Sequence, residues 1–279
     1  MITMLEISGR AIGNSLFSYA TLFGVGKKLN LDIRIPKGET HVHTPTGQKI
    51  WQLKDIFDIK TPYITQEEID NIKHTYIEKR KEFNPEIFTE VKNNTDLVGF
   101  FQSEMYFKEF ERELREQLTF YPYWVEQAKF KFSEMGLKPE KCIALHVRRG
   151  DYERLQEFHP VLSLDYYKEG LDYIYNKVGN DFDICVFSDD IDWCKKNIKW
   201  DRCHFVENIE DKREILDFVM ISLCSNAIIA NSTYSLWATW LGNEKQDKII
   251  IAPKLWFGIG YSYGGTNIPF KECVRIDCN

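Results

Sequence analysis

From residue 142 onward, short apolar runs alternate regularly with segments of helical period. Residues 142–147 (Cys-Ile-Ala-Leu-His-Val) form an apolar run, as do 183–187, 203–206, 227–230 and 248–252. Each reads as a buried strand, because the runs are short and bounded by polar or turn-forming residues. Between them lie helical patterns opening at Leu164 (with Tyr166, Leu171, Ile174 and Tyr175 as its apolar positions) and over 191–196, 212–224 and 236–241. Strand and helix alternating in this way predict an α/β fold with a doubly wound parallel sheet.

The first half carries the same signals more weakly. A strand over 4–7, a glycine-containing turn and a helix over 16–29 open the chain, with Asn14 or Ser15 placed to cap the helix. Gly24 and Gly26 inside that helix predict close packing against a neighbouring layer. A second strand follows at 31–36, and 97–103 reads as a strand followed by a turn. The stretch 65–95 is charged and without a strong period, so it reads as a surface helix and loops. Residues 106–118 form a helix with Phe107, Phe110, Leu114 and Leu118 on one face. Tyr121-Pro122 reads as a break, 129–136 as a linking helix, and the boundary is expected near Pro139, giving domains 1–138 and 139–279.

Composition narrows the class. With 43% hydrophobic and 14% aromatic residues, the 279-residue chain has ample material for a packed core. Its net charge of −6 argues against a general nucleic-acid binder, so an anionic ligand must meet a local basic site. Seven cysteines, all from Cys142 onward and with no C-x-x-C pair, read as small buried hydrophobes suited to a reducing compartment; Cys273 and Cys278 are the pair to consider if the chain were exported. The first residues lack a basic n-region and no run of about 18 apolar residues occurs, so neither a secretory signal nor a membrane span is expected. His41 and His43 lack a third ligand nearby and read as a solvated loop.

Ligands of a doubly wound sheet bind at the carboxyl ends of its strands. Three such ends carry chemistry. The first is His146-Val-Arg148-Arg149-Gly150-Asp151, where two adjacent guanidiniums are costly unless something anionic meets them. Gly150 permits a tight turn, and Asp151 can orient a guanidinium or handle a proton; a structural Arg–Asp pair is the simpler reading. The second is Ser188-Asp189-Asp190. Asp190 and Asp192 have the Asp-x-Asp spacing of a divalent-cation site, but Asp192 falls inside the next helix and Asp189 and Asp190 suit a helix cap. Asp189 can instead accept the paired N–H donors of a guanine edge. With two arginines available to balance a diphosphate, no metal site is expected. The third end, Asn231-Ser232-Thr233-Tyr234-Ser235, can offer uncharged donors to a phosphate or simply cap a helix through Ser232 or Thr233.

The run His146-Val-Arg148-Arg149-Gly150-Asp151-Tyr152 resembles the signature of the α-1,2-fucosyltransferases and, more loosely, of the α-1,6- and protein O-fucosyltransferases. Gly13, Asn14, Phe17, Tyr19 and Ala20 are similar to the family's amino-terminal Gly-Asn element, with Ser15 and Ser18 where the family has glutamines. Gln102 and Ser103 match a Gly-Tyr-x-Gln-Ser segment; 51–57 resembles, loosely, an acceptor-contact region; and 228–237 is close to the family's Ile-x-Ala-Asn-Ser-Thr-Phe-Ser-Trp-Trp block, with Tyr234 and Leu236 as departures. The resemblance runs through both halves in order. It implies a GT-B-like architecture, two Rossmann-like domains facing a cleft, with an amino-terminal acceptor-side domain and a carboxyl-terminal GDP-fucose-binding domain. It implies GDP-β-L-fucose as donor, a galactose-containing glycan as acceptor, inversion, and neither metal nor cofactor.

On that resemblance Arg148, Arg149 and Asp151 are the catalytic candidates, with Arg149 the better candidate for the leaving phosphate and Asp151 positioning it. Asn14, His146, Arg148, Arg149, Asp189, Asn231, Ser232, Thr233 and Ser235 are the donor-binding candidates. The general base stays open between Asp151 and residues of the amino-terminal domain. A cytoplasmic enzyme is expected, docking peripherally at the inner membrane face through a lipid-linked acceptor. A fucosyltransferase of another linkage and a non-catalytic nucleotide-sugar or glycan-binding protein are the rivals. A P-loop hydrolase is excluded, since no G-x-x-x-x-G-K-S/T run occurs.

Overall fold

A computed structural model describes residues 1–38, 52–207, 213–244, 247–260 and 270–278. It divides into two compact units, Met1–Tyr121 and Pro122–Asn279.

In the first unit β1 (Ile2–Thr3) leads to α1 (Ile12–Leu29), followed by the short helices α2 (Leu53–Ile56) and α3 (Gln66–Asp70). Then come β2 (His74–Ile77), α4 (Ile87–Glu90), β3 (Thr95–Val98) and α5 (Glu111–Gln117). The strands form a parallel sheet in the order β1-β3-β2, extended by a bridge from Ile2 to Ile33. Helix α1 is buried along most of its length and fixes this unit. A Cβ on Gly24 would lie 2.2 Å from the Tyr106 carbonyl oxygen, and one on Gly26 would lie 2.3 Å from Ile33 Cγ2. The two glycines therefore let α1 sit against the 106–107 turn on one side and the chain leaving its own end on the other.

The first half departs from the sequence reading in several places. The expected 106–118 helix begins only at Glu111, after 3-10 turns at Glu104–Tyr106 and Lys108–Phe110. The expected strand at 31–36 forms only isolated bridges at Ile33 and Ile35. The opening strand stops at Thr3 and Leu5–Gly9 is a 3-10 turn, because the Leu5 N–H turns to the Asp96 carboxylate at 3.0 Å. Helix α1 starts at Ile12, so Asn14 and Ser15 lie in its first turn and neither caps it; the Ser15 hydroxyl donates to the Ile7 and Arg10 carbonyls. Strand β2 was hidden because only Tyr76 of its four residues is buried, so an edge strand showed no apolar run. His41, His43 and Trp51 lie outside the described residues.

The second unit begins with α6 (Pro122–Glu134), one helix earlier than the expected boundary at 138/139. Pro122 starts the helix, where its missing N–H costs nothing. Trp124, Ala128 and Phe132 form the buried stripe of α6, which packs on a helix of the second unit. Next are β4 (Cys142–Val147), α7 (Leu164–Val178), β5 (Asp183–Ser188), α8 (Ile191–Asn197), β6 (Cys203–Phe205) and α9 (Arg213–Leu223). Strand β7 (Asn226–Ile228), α10 (Thr233–Leu241), β8 (Ile250–Pro253) and β9 (Val274–Ile276) complete it.

All neighbouring strands of this sheet pair in parallel, in the order β6-β5-β4-β7-β8-β9. Every residue of β4 is buried, as a central strand covered on both faces requires. Ile143, Leu145 and Val147 join Leu171 and Ile174 of α7 and Ile228 and Ile251 of the adjoining strands in the core. The Tyr166 hydroxyl anchors α7 to the sheet by donating to the Ile229 carbonyl at 2.7 Å. All seven cysteines are free thiols, Cys273 and Cys278 included.

Candidate functional site

In the second sheet the strand order reverses at its centre. β5 and β6 step outward on one side of β4, and β7 to β9 on the other. A doubly wound sheet binds ligands at such a switch, outside the carboxyl ends of the two flanking strands. Here those ends are Arg148-Arg149 after β4 and Asn231-Ser232 after β7, with Asp189-Asp190 after the adjacent β5.

Both guanidiniums are largely buried, and each is held between two carboxylates. Arg148 Nη2 donates to Asp151 Oδ1 at 2.5 Å, and its Nη1 lies 3.2 Å from Asp189 Oδ2. Burial disfavours the Arg148 charge, but Asp189, Tyr152 and Asp151 outweigh it and raise its pKa above the ordinary value. Arg149 Nη2 pairs with Glu153 Oε1, its Nε lies 3.5 Å from Asp190 Oδ2, and its guanidinium lies 3.7 Å above the Trp193 ring. Asp151 thus orients Arg148, not Arg149 as expected, because the 3-10 turn Gly150–Arg154 places it three residues beyond Arg148 and delivers Glu153 to Arg149.

Asp189 ties the turn to the sheet. Its Oδ1 accepts from the Arg149 backbone N–H at 2.9 Å, so both its oxygens are engaged by the arginine pair. It approaches so closely that a Cβ on Gly150 would lie 2.4 Å from Asp189 Oδ2. Glycine is needed here to admit a carboxylate, a reason beyond the turn itself. Asp190 takes the role of helix cap, accepting from the Trp193 N–H at 3.1 Å.

His146 is 6% exposed and lies 5.7 Å, ring to ring, from Tyr234 of α10. Its Nδ1 is buried with no hydrogen-bond partner among the described residues. Burial first, and the neighbouring Arg148 second, lower its pKa to about 3, so the imidazole is neutral. The unfolded chain takes up this proton near 6.5, whereas the folded chain resists it until about 3. Stability is therefore full above the unfolded value and is lost as the pH falls below it. We expect this group alone to remove about 1 kcal/mol of unfolding free energy between pH 7 and about pH 5.5. Urea titrations across that range should show a shallower slope for His146→Gln; an unchanged slope would mean that another group governs it.

Asn231 is also buried. Its Nδ2 donates to the Pro160 carbonyl at 3.2 Å and the Trp256 carbonyl at 3.1 Å, its own carbonyl accepts from the Tyr152 hydroxyl, and its Oδ1 has no partner among the described residues. Ser232 makes no side-chain cap bond to α10, while Thr233 opens that helix. Ser235 is fully buried with its hydroxyl donating to the Ser232 carbonyl at 3.3 Å, so it belongs to the helix interior. In the first unit, Asn14 Oδ1 accepts from Gln102 Nε2 at 3.0 Å, which brings together two residues far apart in sequence.

The sequence reading missed Glu153, Trp193 and Arg213. Arg213 donates to the Ser188 carbonyl at 2.5 Å and thereby fastens α9 to the carboxyl end of β5. Glu153 was signalled by its i, i+4 spacing from Arg149; Trp193 and Arg213 carried no local signal.

The fold and the site together define a GT-B-like α/β protein of parallel sheets with an arginine pair at a strand-order switch. The chain belongs to Glycosyl transferase family 11, whose profile it matches over residues 4–258. It is 42% identical over 118 residues to the O-antigen biosynthesis glycosyltransferase WbnK of Escherichia coli, covering 41% of this chain and 38% of that protein. It is 33% identical over 182 residues to an α-1,2-colitosyltransferase of Escherichia coli, covering 63% and 61%. Its match thus spans less than two thirds of either relative. The fold is shared with NodZ, an α-1,6-fucosyltransferase, at 14% identity and a TM-score of 0.54 over 86% of this chain and 92% of that one. It is shared with POFUT1 at 14% identity and a TM-score of 0.56 over 90% and 98%.

Proposed function

We infer that the chain transfers L-fucose from GDP-β-L-fucose to a galactosyl hydroxyl of an oligosaccharide or surface-polysaccharide acceptor, forming an α-1,2 linkage with inversion and without a metal ion. The observation that carries this reading is the Arg148-Arg149 pair at the carboxyl end of β4, beside the strand-order switch, in a chain of this family. Two guanidiniums can balance a diphosphate without a cation. The proposed reaction is a single displacement, in which the acceptor hydroxyl forms its bond to the anomeric carbon and passes its proton to a general base or to water as the bond to the β-phosphate breaks and GDP leaves with the electron pair. Negative charge then grows on the departing GDP, and Arg149 and Arg148 stabilise it, with Asp151 orienting Arg148. Neutral His146 and the Asn231 amide offer the sugar nucleotide buried polar atoms, and Ser232 and Thr233 offer donors at the start of α10. Asn14 is kept as a donor-binding candidate on the family resemblance, its amide oxygen accepting from Gln102 within the first unit. The proposed compartment is the cytoplasm, with the protein at the inner membrane face when its acceptor is lipid-linked; no described helix is long and apolar enough to cross a membrane.

A second donor follows from the relative named as an α-1,2-colitosyltransferase. The same site would then transfer colitose from its GDP ester. The deciding experiment measures GDP or UDP release in EDTA from GDP-fucose, GDP-colitose, GDP-mannose and UDP-galactose, each with lactose or N-acetyllactosamine. Release from GDP-fucose and not the others is the expected result. Release from GDP-colitose alone would replace the donor, and strict dependence on Mn²⁺ would reopen Asp190 and Asp192 as a cation site.

A further inference from the structure

The turn after β4 folds a carboxylate of the chain back onto Arg149. The Glu153 N–H donates to the Arg149 carbonyl at 3.1 Å, which sets the two side chains one turn apart and lets Glu153 Oε1 accept from Nη2. Arg149 has little freedom to leave this contact, since Trp193 lies under its plane and Asp190 lies beside its Nε. Among the described residues, four carboxylates stand around the arginine pair, and they differ in how firmly they are fixed. Asp189 also accepts the Arg149 backbone N–H, Asp190 also caps α8, and Asp151 is 22% exposed and hydrogen-bonded to Arg148. Glu153 is 49% exposed, and among the described residues its carboxylate pairs with Arg149 alone. It is the carboxylate most readily displaced.

We propose that Glu153 is an internal competitor for the diphosphate: it and the β-phosphate take the same Nη2 edge of Arg149, so each turnover exchanges one anion for the other. The exchange has a kinetic use. GDP bound through two guanidiniums leaves slowly, and release often limits turnover in transferases that clamp their product. A carboxylate one turn away re-pairs with Arg149 as the product departs, lowering product affinity without weakening the arginine that stabilises the transition state. This rests on the diphosphate part of the function proposed above, not on the sugar or the base. A half-exposed ion pair is modest, so removing it should tighten diphosphate binding by about two- to fivefold.

The test is calorimetric titration of the full chain with inorganic pyrophosphate, GDP and guanosine, using wild type, Glu153→Gln and Glu153→Asp. The Asp variant keeps the charge but shortens its reach, so it should behave like the Gln variant. The expected result is tighter pyrophosphate and GDP binding in both variants, by the same factor, with guanosine unchanged and wild-type melting. In product-inhibition assays GDP should then inhibit the variants more strongly. Unchanged or weaker pyrophosphate binding in both variants would overturn the proposal and make Glu153 a residue that holds Arg149 in place. Tighter pyrophosphate binding without GDP binding to any of the three proteins would leave the competitor standing and remove the guanine donor.

Discussion

Arg149→Ala is expected to lower kcat by about 10²–10³-fold while the protein remains folded. Both halves of that expectation come from the surroundings of Arg149. Its partners Glu153 and Asp190 are substantially exposed, so the carboxylates left behind are rehydrated and the cost to stability stays small. Arg148 keeps its own share of the transition-state charge but does not move to cover that of Arg149, because Asp151 and Asp189 fix its guanidinium in place. Arg149→Lys should recover little, since an ammonium lacks the planar fork that can stack on Trp193 and meet an anion at its edge. Steady-state rates with saturating donor, taken beside thermal melting, check this. A variant retaining more than a tenth of wild-type kcat would remove Arg149 from the reaction.

Gly24→Ala is expected to destabilise the first unit by about 1–3 kcal/mol, although alanine favours a helix over glycine by about 1 kcal/mol. Propensity loses because the added methyl would lie 2.2 Å from the Tyr106 carbonyl oxygen and 2.8 Å from Phe107 Cα. Both are backbone atoms that no side-chain rotation can move away. Relief requires α1 to withdraw from the turn holding Phe107, whose ring packs 6.5 Å from Phe17. Gly136→Ala is the control: no atom lies within 4 Å of its added methyl, and its φ of +69° gives a purely conformational penalty. Urea unfolding of both variants separates the two causes. A Gly24→Ala protein as stable as wild type would show that α1 can shift freely.

The second unit was legible in the chain because a parallel sheet covered on both faces needs unbroken apolar strands. Residues 142–147, 183–187 and 227–230 announced themselves, and their carboxyl ends marked Arg148, Arg149, Asp189 and Asn231 as candidates. The helix-cap reading of Asp190 was also available locally, since a cap bonds only to its own next turn. The first unit was less legible. Its edge strand β2 buries one residue, and the two-residue β1 is ended by a contact with Asp96 from far along the chain.

The alternation of strand and helix, and which charged residues stand at the strand ends, can thus be read along the chain. Local patterning suffices for that, because each element must expose or bury its own faces. The pairing is a product of the fold: Asp151 with Arg148, Glu153 and Trp193 with Arg149, Asp189 against Gly150, and Gln102 with Asn14. Several carboxylates lay within reach of either guanidinium along the chain. The choice among them fell to the pitch of one 3-10 turn and to the parallel register that sets Val147 beside Ser188.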